Sequence, residues 1–323
     1  MDFLADFSSL DTWPEGQRQR VKRFRPVGAT GRRACVIGDD SFVALDLVTR
    51  LAQEGFEVSY LADPIWTQDV ESNLYQTTDE AGVYEEAIEG ADHLFVIFQQ
   101  PLCLRKSCSE KEFFEHCRWH LTYVQMMIET VILGSCRPPD TFTIAFPSAV
   151  ERFGLRFTEI DLSPEAKSRV VCSTVELGCV LDISHGAWAA LSRLVAAGHR
   201  PKRRLELRRS PLRYQSWITT RDAVSLILWM AYERIEGDIY GVAPECLAEE
   251  DFFKIVCEPL GVKPHGSSLD RFFWECGLPF GVTGAGQHVM PRRAMELGFR
   301  FQDTELDLVA LRFAVESGRH LAQ

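Results

Sequence analysis

Arg33-Ala34-Cys35-Val36-Ile37-Gly38, then Asp39-Asp40-Ser41-Phe42-Val43-Ala44, then an amphipathic run to Glu54 and Gly55 and a second apolar segment ending at Asp63, is the stretch that decides the fold. Strand, tight turn, helix and strand within about thirty residues is the pattern of a nucleotide-binding βαβ unit. In such a unit the first glycine makes the turn, the second lets backbone approach a pyrophosphate, and the third lets helix and strand pack closely. Gly38 fills the first place, whereas Ser41 and Ala44 stand in the second and third, and Asp39 and Asp40 occupy the turn. The same pattern also serves as a unit kept only for its packing.

Charge separates the two uses. A carboxylate about 5 Å from a phosphate, at an effective dielectric near 20, repels it by roughly 3 kcal/mol. That is about two decades in affinity. Ala44 adds only a methyl at a packing contact. Asp63 stands 25 positions after Gly38, where an acidic residue hydrogen-bonds a ribose 2′-hydroxyl and repels a 2′-phosphate. A dinucleotide bound here is therefore expected to be NAD, held weakly, with Gly38, Ser41, Phe42, Asp63, Phe98 and Gln99 as the candidate cofactor-binding set.

The 323 residues suffice for one large α/β domain and a smaller one. Hydrophobic residues make up 46%, ample for a core, and a net charge of −11 argues against nucleic acid as the main partner. No apolar run has the length of a membrane span, and the N-terminus lacks a signal-peptide pattern. Ten scattered cysteines fit a reduced, cytoplasmic protein. Residues 1–30 form an arm in which Phe3, Leu4, Phe7, Leu10 and Trp13 precede the basic run Arg18 to Arg25. It either packs across its own domain or docks a partner protein.

Beyond Asp63 the α/β rhythm continues. Helices are expected over Val83 to Ile88, Lys111 to Leu133, Ala187 to Ala197 and Arg221 to Glu233. Strands are expected over His93 to Phe98, Thr141 to Phe146, Val170 to Leu177 and Arg203 to Leu207. From Tyr240 the pattern turns to short helices with few strands. The expectation is a doubly wound, mainly parallel Rossmann-type sheet over 31–235 and a small helical lobe over 236–323.

Gly286-Gln287-His288-Val289-Met290-Pro291-Arg292-Arg293-Ala294-Met295-Glu296-Leu297-Gly298-Phe299-Arg300-Phe301 resembles the closing signature of the epimerase-family branch of the extended short-chain dehydrogenase/reductases, the nucleoside-diphosphate-sugar-epimerase-like proteins. Gln215-Ser216-Trp217-Ile218-Thr219-Thr220-Arg221-Asp222-Ala223-Val224 is similar to that branch's Trp-x-Ser-Trp-Ile-His-x-x-Asp segment. Glu89 to Phe98 and Ser148 to Val150 fall in matching places, so the resemblance spans roughly Arg33 to Leu311. It implies an NAD-dependent epimerase, dehydratase or reductase acting on a sugar nucleotide or similar small polar substrate.

The departures fall where that chemistry would sit. The resemblance implies a Tyr as general acid/base, a Lys four residues later, and a Ser that orients substrate. None of the seven tyrosines has Lys at that spacing. Glu151-Arg152-Phe153-Gly154 replaces the family's Gly-Tyr-Tyr-Gly, and Gln99-Gln100-Pro101 replaces a small Ala-Gly. The segment between Ser148 and Val170, with Pro164 inside, is too short for the usual Tyr/Lys-bearing helix. Ser148 matches the substrate-orienting Ser, yet a lone Ser at a strand end is also an ordinary turn residue.

Cys103, Cys108, His116 and His120 form one other constellation, with the histidines at i, i+4 on one helix face. That set has zinc-ligand chemistry, but the gap from Cys108 to His116 is shorter than in common zinc modules. Three readings of function remain, one of them a zinc-stabilised interaction protein. The first is a catalytically degenerate homologue serving as a binding or scaffold module for a protein partner. The second is a working epimerase using unconventional acid/base groups such as Glu151 or Asp182.

Overall fold

Ala34 and Val36 face one side of the central strand while Cys35 and Ile37 face the other, and all four are buried. A strand with both faces apolar needs helices above and below it, which is the layering of a doubly wound sheet. The computed structural model describes residues 21–38, 42–62, 80–97, 124–147, 162–184, 188, 214–260 and 288–316. Over these the strands are β1 (Val21–Phe24), β2 (Arg33–Gly38), β3 (Glu57–Ala62), β4 (His93–Ile97), β5 (Thr141–Pro147), β6 (Val171–Leu177), β7 (Cys179–Leu181), β8 (Tyr214–Thr219), β9 (Gly237–Gly241) and β10 (Cys246–Ala248). The helices are α1 (Phe42–Gln53), α2 (Glu80–Ile88), α3 over 124–134, α4 (Pro164–Lys167), α5 (Thr220–Tyr232), α6 (Glu249–Cys257), α7 (Arg292–Glu296) and α8 (Leu306–Glu316).

The main sheet runs β1-β3-β2-β4-β5-β6-β9. Every pairing is parallel except β1 against β3. The expected parallel sheet through Arg33, Val58, Leu94, Phe142 and Val171 is present, and β9 adds a strand whose residues lie past 235. Leu47, Val48 and Leu51 of α1 and Val224 and Ile227 of α5 pack on one face. Tyr84 and Ile88 of α2 and Ile128 and Ile132 of α3 pack on the other. A second, three-stranded sheet, β10-β8-β7, carries its own core with α6 and α8, built on Trp188, Trp217, Phe252 and Phe313.

Two connections fix how the helices end. Arg169 donates to the carbonyls of Ile132, Leu133 and Ser135 at 2.6, 2.7 and 2.6 Å, covering acceptors that the end of α3 leaves without intrahelical donors. At the end of α5, Ile235 N–H donates to Met230 O and Arg234 N–H to Ala231 O, the paired bonds of a Schellman cap. Arg234 holds the left-handed conformation there, at φ 53°.

The end of the basic run is a strand. Val21–Phe24 pairs antiparallel with β3, and Arg25 Nε lies 2.8 Å from Glu57 Oε1. This part of the arm packs on its own domain, while residues 1–20 lie outside the described residues. So do the expected strand at Arg203 to Leu207 and, Trp188 apart, the expected helix from Ala187 to Ala197. The Ser148 to Val170 crossover is described only from residue 162, where Ser163 caps the four-residue α4. Among the described residues no helix is long and apolar enough to cross a membrane.

Candidate functional site

Register places the carboxyl ends of the central strands together. Gly38 pairs with both Ala62 and Ile97, Ile97 with Ala145, and Pro147 with Leu177, which pairs with Gly241. In open α/β sheets ligands bind outside this edge. Asp63 follows Ala62 directly, Phe98 and Gln99 follow Ile97, and Ser148 follows Pro147. Topology therefore gathers the ends that lead into the sequence-derived candidates. Asp63, Phe98, Gln99, Ser148, Ser41 and the turn carboxylates Asp39 and Asp40 themselves lie outside the described residues, as do Glu151, Cys103, Cys108, His116 and His120. Among the described residues there is no group of three or more His, Cys, Asp or Glu that could hold a metal.

Gly38 and Phe42 are described. A Cβ on Gly38 would sit 2.5 Å from the Ile97 carbonyl oxygen, so glycine is what lets β2 run this close to β4. Phe42 opens α1 and is buried with Val43 and Ala44 in the core on that face of the sheet. Ala44 is fully buried, so its methyl is absorbed where many such units carry glycine. This frame fits a dinucleotide: a close β2–β4 approach, then a helix whose amino end starts four residues after Gly38.

Asp182, the sequence-derived alternative acid/base, follows β7 and accepts from Ser184 N–H at 2.8 Å. Asp46 on α1 has its carboxyl held above the ordinary value, first by loss of water and then by the charge of Asp182, against the pull of Arg50. Five of the seven tyrosines are described. Tyr60 and Tyr84 are core residues, and Tyr232 donates to Glu54 Oε2 at 2.7 Å. Tyr214 stacks edge-on against His288, and Tyr240 lies on β9.

The two motifs that carry the family resemblance meet where Ser216 Oγ lies 3.4 Å from the Val289 carbonyl oxygen, and further contacts run from the first motif to Gln302 and Asp303, just past the second. Thr219 Oγ1 donates to Asp303 at 2.7 Å, and Asp303 also accepts from Arg221 at 2.8 Å and from Arg312 at 2.8 and 3.1 Å. Burial alone would raise the Asp303 carboxyl, but the bonds from Arg312 and Thr219 and both guanidinium charges hold it below its ordinary range. Asp222 accepts from the backbone N–H of Gln302 and Asp303. Arg293 donates to the carbonyls of Asp238 and Glu236 beside Gly237, whose φ is +89°. Among the described residues these motif side chains join the carboxy-terminal segment to α5 and β9. Sequence reading recognised the motifs but not this role, since their spacing does not reveal the partners.

A second polar cluster occupies the opposite edge of the sheet. The Arg32 guanidinium lies 4.2 Å from the Phe56 ring centre, and Phe56 stacks on Tyr232. Arg32 Nη2 lies 3.3 Å from His93 Nε2, and His93 Nδ1 lies 2.8 Å from Thr141 Oγ1. A guanidinium only donates, so Nε2 accepts, and the imidazole is neutral with its proton on Nδ1 toward Thr141. Burial first, then Arg32, lowers the His93 pKa; Asp92 and Asp140 oppose this and Arg234 adds to it.

A folded-state pKa below the unfolded value of about 6.5 means the unfolded chain binds the proton more readily. The stabilisation is therefore complete above about pH 6.5 and declines as pH falls from there toward the folded-state pKa. His93→Gln keeps a donor and an acceptor but does not titrate. Its urea-unfolding free energy is expected to fall less steeply between pH 6.5 and 5.5, by up to about 1.4 kcal/mol per pH unit. Equal slopes for the two proteins would show that His93 is not held neutral.

No family model and no curated protein match the chain. Solved structures do. The human epimerase family protein SDR39U1, crystallised with NADPH, is 16% identical, with 88% of this chain and 99% of that one covered at a TM-score of 0.61. UDP-glucose 4-epimerase from Thermotoga maritima, solved with UDP-glucose, is 13% identical, covering 89% and 98% at 0.60. MoeE5, in complex with UDP-glucuronic acid and NAD, is 11% identical, covering 89% and 100% at 0.57. With the parallel sheet, its β2–β4 close approach and the appended three-stranded lobe, this chain has the fold of the epimerase-like short-chain dehydrogenase/reductases.

Proposed function

We propose that this chain is a catalytically degenerate form of the epimerase-like fold, which works by binding and retains a weakened nucleotide site at the Gly38 edge. The observation that carries this reading is the missing Tyr/Lys pair: none of the seven tyrosines has a lysine four residues on. Tyr60 and Tyr84 lie in the core, Tyr232 donates to Glu54 and Tyr214 packs on His288. Gly38, Ser41, Phe42, Asp63, Phe98 and Gln99 would hold the cofactor, and NAD when bound would supply a hydride acceptor. Asp63 would disfavour a 2′-phosphate, while Asp39 and Asp40 would weaken the hold on the pyrophosphate. A protein partner is the proposed target, with residues 1–20 and the exposed part of the basic run as its contact.

The second reading, a working epimerase or reductase, rests on Asp46 and Asp182, because a carboxyl raised first by burial and then by a neighbouring carboxylate suits acid/base chemistry. Calorimetric titration with NAD and NADP, followed by an assay with UDP-glucose, separates them. The binding reading expects weak NAD uptake, weaker NADP uptake and no turnover. Low-micromolar NADP binding would contradict the electrostatic part. Turnover abolished by Asp182→Asn would replace the first reading with the second.

A further inference from the structure

Arg32 and His93 face each other at the sheet edge opposite Gly38, and the arrangement there suits one positive charge, not two. His93 is 7% exposed at the start of β4, while Arg32, just before β2, is exposed. Arg32 Nη2 lies 3.3 Å from His93 Nε2. The other ring nitrogen, Nδ1, is taken by Thr141 Oγ1 at 2.8 Å. Nε2 is therefore the atom that receives a proton, and it is the one turned toward the guanidinium. A proton there converts an acceptor into a second donor and sets two positive charges against each other at hydrogen-bonding distance.

The carboxylates nearest this charge already have partners. Asp92 accepts from Arg33 N–H at 2.8 Å and from Arg137 at 3.1 Å. Asp140 lies 3.9 Å from Arg234, whose own charge opposes protonation of His93. The aromatic pair beside them can hold either cation. Tyr232 and Phe56 lie 5.6 and 5.8 Å from the imidazole, centre to centre, and 5.4 and 4.2 Å from the Arg32 guanidinium. Such ring faces attract an imidazolium as they attract a guanidinium. Of the two side chains, Arg32 is the one with a way out. Its backbone is pinned, since Glu57 N–H donates to Arg32 O and Thr30 N–H to Gly55 O, but its side chain borders solvent. Tyr232 stays tied to Glu54 by its 2.7 Å bond, so the aromatic pair does not follow.

We infer that Arg32 and His93 form an acid-operated latch: with His93 neutral the guanidinium lies over Phe56, and protonation of Nε2 drives Arg32 into solvent, leaves the imidazolium against Tyr232 and Phe56, and uncovers the outer face of Phe56. Phe56 is 1% exposed beneath the guanidinium. Burial first, and then Arg32 itself, disfavour the proton on His93, so the latch is shut at neutral pH and opens in acid. Its working does not depend on whether the Gly38 edge binds a nucleotide.

Nuclear magnetic resonance of the full chain, labelled with 13C and 15N, follows both partners through an acid titration, with Arg32→Met and His93→Gln assigning their signals. While the latch is shut, the rings displace the Arg32 side-chain signals from those of a free arginine. The expected result is loss of that displacement with the same midpoint as the His93 imidazole titration, below about pH 6.5. In Arg32→Met the His93 midpoint moves up toward the ordinary histidine value, because the opposing charge is gone. In His93→Gln the Arg32 displacement persists over the same range. An Arg32 displacement that survives protonation of His93 would overturn the inference, and so would an unchanged His93 midpoint in Arg32→Met. A His93 that stays neutral until the chain unfolds would do the same. Should His93→Gln fail to fold, wild type and Arg32→Met still decide, because Arg32 is exposed.

Discussion

Asp303→Ala is expected to lower the folding free energy by about 3 kcal/mol, the largest loss of any substitution among the polar residues that tie the carboxy-terminal segment to the start of α5. The Asp303 side chain is 4% exposed and accepts bonds from Thr219, Arg221 and Arg312. Removing one partner of a buried ion pair typically costs 3–5 kcal/mol, because the remaining charge is left without compensation. Here the lower end applies. The Arg221 side chain is 50% exposed and Arg312 34% exposed, so both guanidinium groups regain water once the carboxylate is gone. Asp303→Asn keeps an acceptor in place and is expected to cost less than the alanine variant.

Acid adds an independent check. A carboxyl held below its ordinary value contributes stability above the unfolded pKa of about 3.9, and that contribution is lost as pH falls through the folded-state value. Urea unfolding of wild type and Asp303→Ala at neutral pH and in acid should therefore converge below pH 4. A difference under about 1 kcal/mol at neutral pH would mean that the Asp303 carboxylate contributes little to holding the carboxy-terminal segment.

That network explains why the fold was more legible than the site. The βαβ unit announced itself through local signals: an apolar run, Gly38, an amphipathic helix and a second apolar run, all within about thirty residues. Helix α5 was equally plain, because Thr219 and Asp222 mark its start and its apolar face repeats at helical spacing. By contrast, Asp222 reaches Gln302 across 80 residues, and Arg293 reaches Glu236 across 57. Nothing local encodes such partners.

The basic run hid β1, since Lys22 and Arg23 lack the apolar alternation of a strand until β3 supplies an antiparallel neighbour. The small sheet was hidden for the opposite reason. Gln215 to Thr219 is buried on both faces, so it lacks the alternation that marks a half-exposed strand. Gln215-Ser216-Trp217-Ile218 was visible as a motif and invisible as a strand.

Gly38→Ala separates the two uses of the βαβ unit with which the sequence began, and its effect is expected to be of the same size as that at Asp303. A methyl there would meet the Ile97 carbonyl oxygen at 2.5 Å and the Ile97 carbonyl carbon and Cβ at 3.4 Å. The neighbour is backbone in the middle of the sheet, and Ile97 is itself paired with β5, so it cannot swing aside as a surface side chain could. Overpacking a core costs about 1–3 kcal/mol, and a clash with backbone belongs at the upper limit, about 3 kcal/mol. Ala44→Gly is the control. It removes a buried methyl from α1, and the helix penalty of glycine there is about 1 kcal/mol.

If Gly38 serves packing first, the alanine variant loses stability whether or not NAD is present, and Ala44→Gly gains no affinity for NAD. If the glycine serves only the turn that leads to a phosphate site, Gly38→Ala leaves the urea midpoint unchanged and loses whatever NAD binding the wild type has. The short distance to Ile97 favours the first outcome. A wild-type midpoint in Gly38→Ala would show that β2 and β4 tolerate a wider spacing than the one observed.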